Sequence, residues 1–152
     1  MKEIHIYTDG ACSFNPGPGG WAAVLQYGGV RKDISGGEGI TTNNRMELTA
    51  VIKGIEVLKE PCKVTIYSDS AYVINAFNQS WLVKWQKNGW LNSKNLPVEN
   101  KDLWVALLDL TSQHHVSFVK VKGHADNEIN NLCDSLAKAE VAKILSTKGV
   151  VD

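Results

Sequence analysis

The sequence has no stretch of about 18 or more consecutive apolar residues, so no membrane-spanning helix is expected. Its opening, MKEIHIYTDG, has no apolar run of signal-peptide length, and the expected location is cytoplasmic. Cysteine is scarce: Cys12, Cys62 and Cys133 are odd in number and lack zinc-ligand spacing. Such a set builds neither a disulfide framework nor a structural zinc site, and suits free thiols in a reducing compartment. Linker-like segments and internal repeats are missing as well. So is any excess of one charge, since 16 Lys and Arg offset 16 Asp and Glu. A partner rich in phosphate normally meets a basic surface, so a nucleic-acid reading requires a local patch. At 152 residues the chain can bury roughly 70% of its unfolded surface in one core. A single domain over residues 1–145 is expected, with 146–152 as a flexible tail.

Residues 2–9 alternate and are rich in Ile and Tyr, which predicts a strand. SFNPGPGG (13–20) reads as a turn cluster, WAAVLQY (21–27) as a strand, and Gly28–Gly29 as a hairpin turn into a strand near 30–35. SGGEGI reads as loop. Leu48, Val51, Ile52, Ile55 and Leu58 form one stripe at helical spacing, predicting a helix over 43–59 capped by Thr42 or Asn43. A strand at 63–68 follows, then helices at 70–79, 81–88 and 101–111, a strand at 115–121 and a helix at 127–145. Three consecutive strands followed by alternating helix and strand predict an α/β (α+β) fold, a five-stranded mixed sheet flanked by helices.

Two of the strands end alike. IHIYTDGACS (4–13) and VTIYSDSAYV (64–73) each carry Ile-Tyr, a hydroxyl residue and then an aspartate. In open α/β sheets ligands gather at the carboxyl ends of strands, where Asp9 and Asp69 lie. If the strands are neighbours, the like charges repel by roughly 1–4 kcal/mol at about 4 Å. A hard divalent cation resolves that repulsion. Glu47 falls at the edge of the apolar stripe of its helix, and Asp134 lies near the apolar face of the last helix. Taken singly, these acids read as a turn residue, a helix-dipole partner and a solvated surface group. Gly10 and Ser70, next to the two aspartates, are expected to leave room for a substrate backbone.

The segments YTDGACSFNPGPGGWAAVL, TTNNRMELTA, YSDSAYVI and VKGHADNEINNLCDSLA occur in this order. Together they resemble type 1 ribonuclease H over residues 3–143. The resemblance implies a ribonuclease H-like fold and cleavage of the RNA strand of RNA–DNA hybrids to 5′-phosphate and 3′-hydroxyl ends. It implies that Asp9, Glu47, Asp69 and Asp134 hold two magnesium ions, with manganese able to substitute. Asp9 would bridge the two, with Asp134 completing the water-side metal and Glu47 and Asp69 the other. His124 matches a loop histidine that handles protons and product release. Cys12, Ser13, Asn15, Asn43 and Asn44 match positions lining the minor groove, where the 2′-hydroxyl distinguishes RNA from DNA. Asn43 and Asn44 could instead cap the helix. Thr42 matches a phosphate-pocket position, and Ser70 and Gln113 are further substrate candidates.

Four of the five tryptophans, Trp81, Trp85, Trp90 and Trp104, fall within 81–104, which in similar bacterial enzymes is a basic protrusion gripping the DNA strand. Trp81 and Trp85 share a helix face and are read as packing; Trp90 is read as a contact to DNA sugars. The stretch 81–101 has only Lys84, Lys87, Lys94 and Lys101, opposed by Glu99. Lys84 and Lys87 are the expected phosphate contacts, with a shallow salt dependence and modest hybrid affinity. Asp126 and Glu128 add acid near the site. No obligate protein partner is implied, and a monomer is expected. The rival reading is a non-catalytic hybrid-binding module, which would have no use for four converging carboxylates.

Overall fold

The computed structural model describes residues 1–122 and 127–151, with side chains described to 147. The elements are β1 (Lys2–Cys12), β2 (Gly17–Tyr27), β3 (Val30–Thr41), α1 (Asn43–Glu56), β4 (Cys62–Ser68), α2 (Ala71–Asn78), α3 (Trp81–Asn88), α4 (Lys101–Thr111), β5 (His115–Lys120) and α5 (Glu128–Val151). They form one five-stranded sheet in the order β3-β2-β1-β4-β5. The β1–β2 and β2–β3 pairs are antiparallel; β1–β4 and β4–β5 are parallel. The mixed sheet expected from the element order is therefore present.

Alternation in the strands decides the two faces. Ile4 and Ile6 of β1 and Val64 and Ile66 of β4 point into a core shared with Leu48, Val51 and Ile55 of α1, and with Trp104 and Leu107 of α4. On the opposite face Ala22 and Val24 of β2 meet Cys133 and Ala137 of α5, which lies across β1, β2 and β3. Among the described residues no helix is long and apolar enough to cross a membrane.

Two of the boundaries that differ from the sequence reading do so for one reason. GPGG (17–20) lies within β2, and SGGEGI lies within β3. Glycine here serves close approach rather than a turn. A Cβ on Gly36 would sit 2.6 Å from the indole of Trp21, its partner across the strands, and one on Gly20 would sit 2.2 Å from the Ala137 carbonyl. At the far end, the helical backbone of α5 runs to Val151, past the expected limit at 145. α1 stops at Glu56 rather than 59.

Aromatic packing fills the α2–α3–α4 side. Trp85 lies 6.1 Å from Trp81, 6.1 Å from Trp90 and 5.7 Å from Trp104. Trp81 and Trp85 thus pack as expected. Trp90 joins them half-buried, with the Lys101 ammonium 5.7 Å from its ring.

Candidate active site

The parallel register pairs Ile6 with Ile66 and Tyr7 with Tyr67, so one more pleat brings Asp9 and Asp69 to the same sheet end. α1 supplies the third acid. Thr42 caps this helix, its Oγ1 accepting from the Arg45 N–H at 3.2 Å, and Glu47 follows in the second turn. One oxygen each from Asp9, Glu47 and Asp69 lie within 4.8 Å of one another. They open onto a cleft of about 420 Å³ that Asn43, Asn44, Ser70, Tyr72 and Asp134 also line. Asp134 lies outside the tight triad but beside Asp9, whose proton it helps to hold. It is held at 3.0 Å by Lys138, one turn further along α5.

Gly10 is the residue that lets α1 come so close. A Cβ there would lie 2.5 Å from the Glu47 amide nitrogen and 2.6 Å from the Met46 carbonyl carbon. The space expected for a substrate backbone is thus filled by α1 itself, which corrects the reading of Gly10. Ser70 is also structural, since its Oγ caps α2 by accepting from the Val73 N–H at 3.2 Å.

The electrostatics of the triad are unfavourable by construction. Asp9 and Glu47 are each only 4% exposed. Burial first, and then the charge on Asp69, push the Asp9 carboxyl up to about 7. Burial, followed by the charges on Asp9 and Asp69, raises Glu47 well above the usual range. The Gly10 N–H donates to Asp9 Oδ1 at 2.9 Å, but Glu47 Oε2 is buried with no hydrogen-bond partner. A buried orphan oxygen normally costs stability, and one on a member of this carboxylate cluster fits a place for a cation. The donor set, carboxylate oxygen only, fits a hard divalent ion.

In the cation-free protein Asp9 keeps its proton to about pH 7, whereas the unfolded chain loses it near 3.8. Between those values the native state binds more protons, so the Asp9 contribution to stability falls as pH rises through this window and is constant above it. A bound cation displaces the proton. Calorimetry in two buffers of different ionisation enthalpy should therefore show proton release on cation binding at about pH 6, fading by about pH 8.5.

A hydrogen-bonded strut braces the site. The Tyr72 hydroxyl accepts from Trp104 Nε1 at 3.1 Å and from Asn100 Nδ2 at 3.2 Å. Asn100 Oδ1 in turn accepts from Arg45, whose guanidinium forks onto Asp102 at 3.0 and 2.8 Å. This ties the first turns of α1, α2 and α4 together. Tyr72→Phe removes an acceptor from the fully buried Trp104 indole, and should cost about 1–3 kcal/mol in chemical denaturation with an unchanged m-value.

The remaining candidates divide by place. Asn15 Oδ1 accepts from the Asn43 N–H at 3.0 Å, and Asn15, Thr42, Asn43 and Asn44 share a second cleft of about 500 Å³ with Glu99 and Asn100. Asn43 and Asn44 line both clefts, so the two adjoin. Cys12 and Ser13 lie at the end of β1 beside this region; Cys12 Sγ contacts the Thr41 carbonyl at 3.4 Å, and burial pushes its thiol up. Lys84 and Lys87 are exposed on α3, and Lys84 lines a separate cleft with Trp81, Trp85 and Leu91. Gln113 is not brought to the acids. It precedes β5, whose first residue pairs with Lys63 at the opposite end of the parallel strands; its side chain donates to the Asp109 carbonyl and its N–H to the Leu110 carbonyl. His124 and Asp126 lie outside the described residues, while Glu128 is exposed in the first turn of α5.

Sequence reasoning did not assign Tyr72 or Asn100 to the site. The signal for Tyr72 was present: it lies three residues after Asp69, in the opening turn of α2.

Comparison with known proteins agrees with this geometry. The RNase H family model matches residues 1–142. The chain is 65% identical over 143 residues to the ribonuclease H of Thermoanaerobacter pseudethanolicus, covering 94% of this chain and 92% of the relative. It is 62% identical over 144 residues to that of Moorella thermoacetica, covering 95% of each. Among solved structures it superposes on LC9-RNase H1, a type 1 RNase H with the type 2 active-site motif, with a TM-score of 0.84 and 27% identity, over 94% of this chain and 74% of that one. LC11-RNase H1, solved in complex with an RNA/DNA hybrid, shares the fold at 23% identity and a TM-score of 0.69, over 93% and 99% of the chains. A family model spanning nearly the whole chain, relatives of this identity and the buried acids at one sheet edge lead to one conclusion: the chain belongs to the ribonuclease H family.

Proposed function

We propose that the protein is an endonuclease that hydrolyses the RNA strand of RNA–DNA hybrids, working as a monomer and leaving 5′-phosphate and 3′-hydroxyl ends. The observation that carries this reading is the triad of Asp9, Glu47 and Asp69, with one buried oxygen left unpartnered in a cleft walled by amides and hydroxyls. Asp9, Glu47, Asp69 and Asp134 would hold two divalent cations, magnesium with manganese as substitute. When bound, these cations lower the pKa of an attacking water and neutralise charge on the leaving 3′-oxygen.

The chain's own residues supply the rest. Gly10 fixes the spacing of Glu47 from Asp9 by admitting the α1 backbone. The Tyr72–Asn100–Arg45 strut holds α1 against α2, and with it Glu47 against Asp69. Asn43 and Asn44 stand between the acids and the second cleft, where amide groups can read a 2′-hydroxyl. Cys12, Ser13, Asn15, Thr42 and Ser70 border the same path. On the α3 side Lys84, Lys87 and Trp90 would meet the DNA strand. Among the described residues the second cleft is lined by Glu99 and neutral polar residues, with no Lys or Arg, which supports a shallow salt dependence. His124 would move protons during turnover.

A substrate panel tests the reading. RNA–DNA hybrid, duplex DNA and duplex RNA are incubated with enzyme and magnesium, and RNA cuts are expected in the hybrid alone. Binding of the hybrid without cuts would favour a non-catalytic module instead.

A further inference from the structure

Phe14 is 80% exposed and has a φ of +59°. The left-handed region is costly for a bulky side chain, and structures hold such residues there when something else benefits. Comparison with other residues of the chain isolates it. Ser80, Asn95 and Asn100 share the positive φ, but Asn tolerates it and Ser is small. Trp90 also has it, at +65°, but its ring is packed against Trp85. Ile40 is as exposed, yet lies in an extended strand. Among the described residues Phe14 alone combines a left-handed backbone with a large apolar side chain left in water.

The loop that carries it is fixed. The Ser13 N–H donates to the Pro18 carbonyl at 2.8 Å, and β2 starts so close beneath that a Cβ on Gly17 would lie 2.4 Å from the Phe14 carbonyl oxygen. The next residue, Asn15, is bonded to the first N–H of α1 and lines the cleft that adjoins the one at the acids. The ring is thus presented beside the substrate path: among the described residues the Cys12 thiol meets the Phe14 carbonyl at 4.0 Å, while the ring itself is left in water.

We infer that Phe14 is a substrate-positioning residue whose ring packs against the sugar edge of the bound hybrid. The inference rests on the hybrid being the substrate. Such a contact is apolar, so it is independent of base sequence and of salt, unlike a lysine–phosphate contact. It adds affinity to a protein with few cations on this surface.

The test is steady-state cleavage of a labelled RNA–DNA hybrid by wild type, Phe14→Gly and Phe14→Tyr, at low and high salt, with thermal melts of each protein. Glycine relieves the left-handed strain, so the melting temperature should hold or rise while KM increases about 5- to 10-fold at both salt concentrations. The loss should fall on KM rather than kcat, and tyrosine should restore KM to within about twofold. A Phe14→Gly enzyme with wild-type KM, or a KM loss that tyrosine does not repair, would overturn the inference while leaving the proposed function standing. A wild type that cuts no hybrid would overturn both.

Discussion

Replacing Asp9 by asparagine is expected to abolish cleavage and, at the same time, to stabilise the cation-free protein. The two effects share one cause. Asp9 is buried beside Glu47 and Asp69, with oxygens of all three within 4.8 Å. Like charges at that separation repel by about 1–3 kcal/mol in a surface-like dielectric, and the amide removes one of them without changing shape. Unfolding at about pH 8, where Asp9 would otherwise be charged, should therefore show a gain of about 1–3 kcal/mol. The same substitution removes a negative ligand from the centre of the site, and kcat/KM should drop by at least about 10³-fold. Magnesium should raise the melting temperature of wild type and leave the variant nearly unmoved. A variant that loses activity and stability together would point to damaged packing instead.

Gly10→Ala should be almost as harmful by a different route. The added methyl meets backbone, not the end of a flexible side chain: the Glu47 nitrogen at 2.5 Å and the Met46 carbonyl carbon at 2.6 Å. α1 must back away from β1 and carry the Glu47 carboxylate with it. Overpacking of this kind costs about 1–3 kcal/mol, and a shift of about 1 Å in a reacting group costs about 10²-fold in rate. The expected enzyme is folded, less stable and about 10²-fold slower, with its cation affinity lowered. Titrating magnesium by its effect on the melting temperature separates the displaced carboxylate from a simple loss of fold. Wild-type cation affinity in Gly10→Ala would show that α1 does not set the spacing.

How far the sequence disclosed this arrangement depended on where each signal lay. The element order and the helical stripe from Leu48 to Ile55 are local patterns, and they led to the mixed sheet and to α1. The two matching strand ends pointed to Asp9 and Asp69, because parallel neighbours in register must bring equivalent positions together. The glycines were harder. Gly10, Gly20 and Gly36 each make room for an element distant in sequence, so a reader of one segment sees a turn, or space for substrate. Gln113 had the reverse fault: it lies near a strand in sequence but at the end opposite the acids. The ring of hydrogen bonds through Tyr72 joins residues 45, 72, 100, 102 and 104, and no spacing rule predicts it. Cap residues were legible as caps, and the structure bears this out for Thr42.

The buried carboxylates at one sheet edge are proposed to perform cation-dependent hydrolysis of RNA in a hybrid. The most direct test is single-turnover cleavage of an end-labelled RNA–DNA hybrid by wild type and Asp9→Asn, each with magnesium and with chelator. RNA fragments bearing 3′-hydroxyl ends are expected only from wild type with magnesium. Cutting that persists in chelator, or that Asp9→Asn performs as well as wild type, would show that these carboxylates do not carry the reaction.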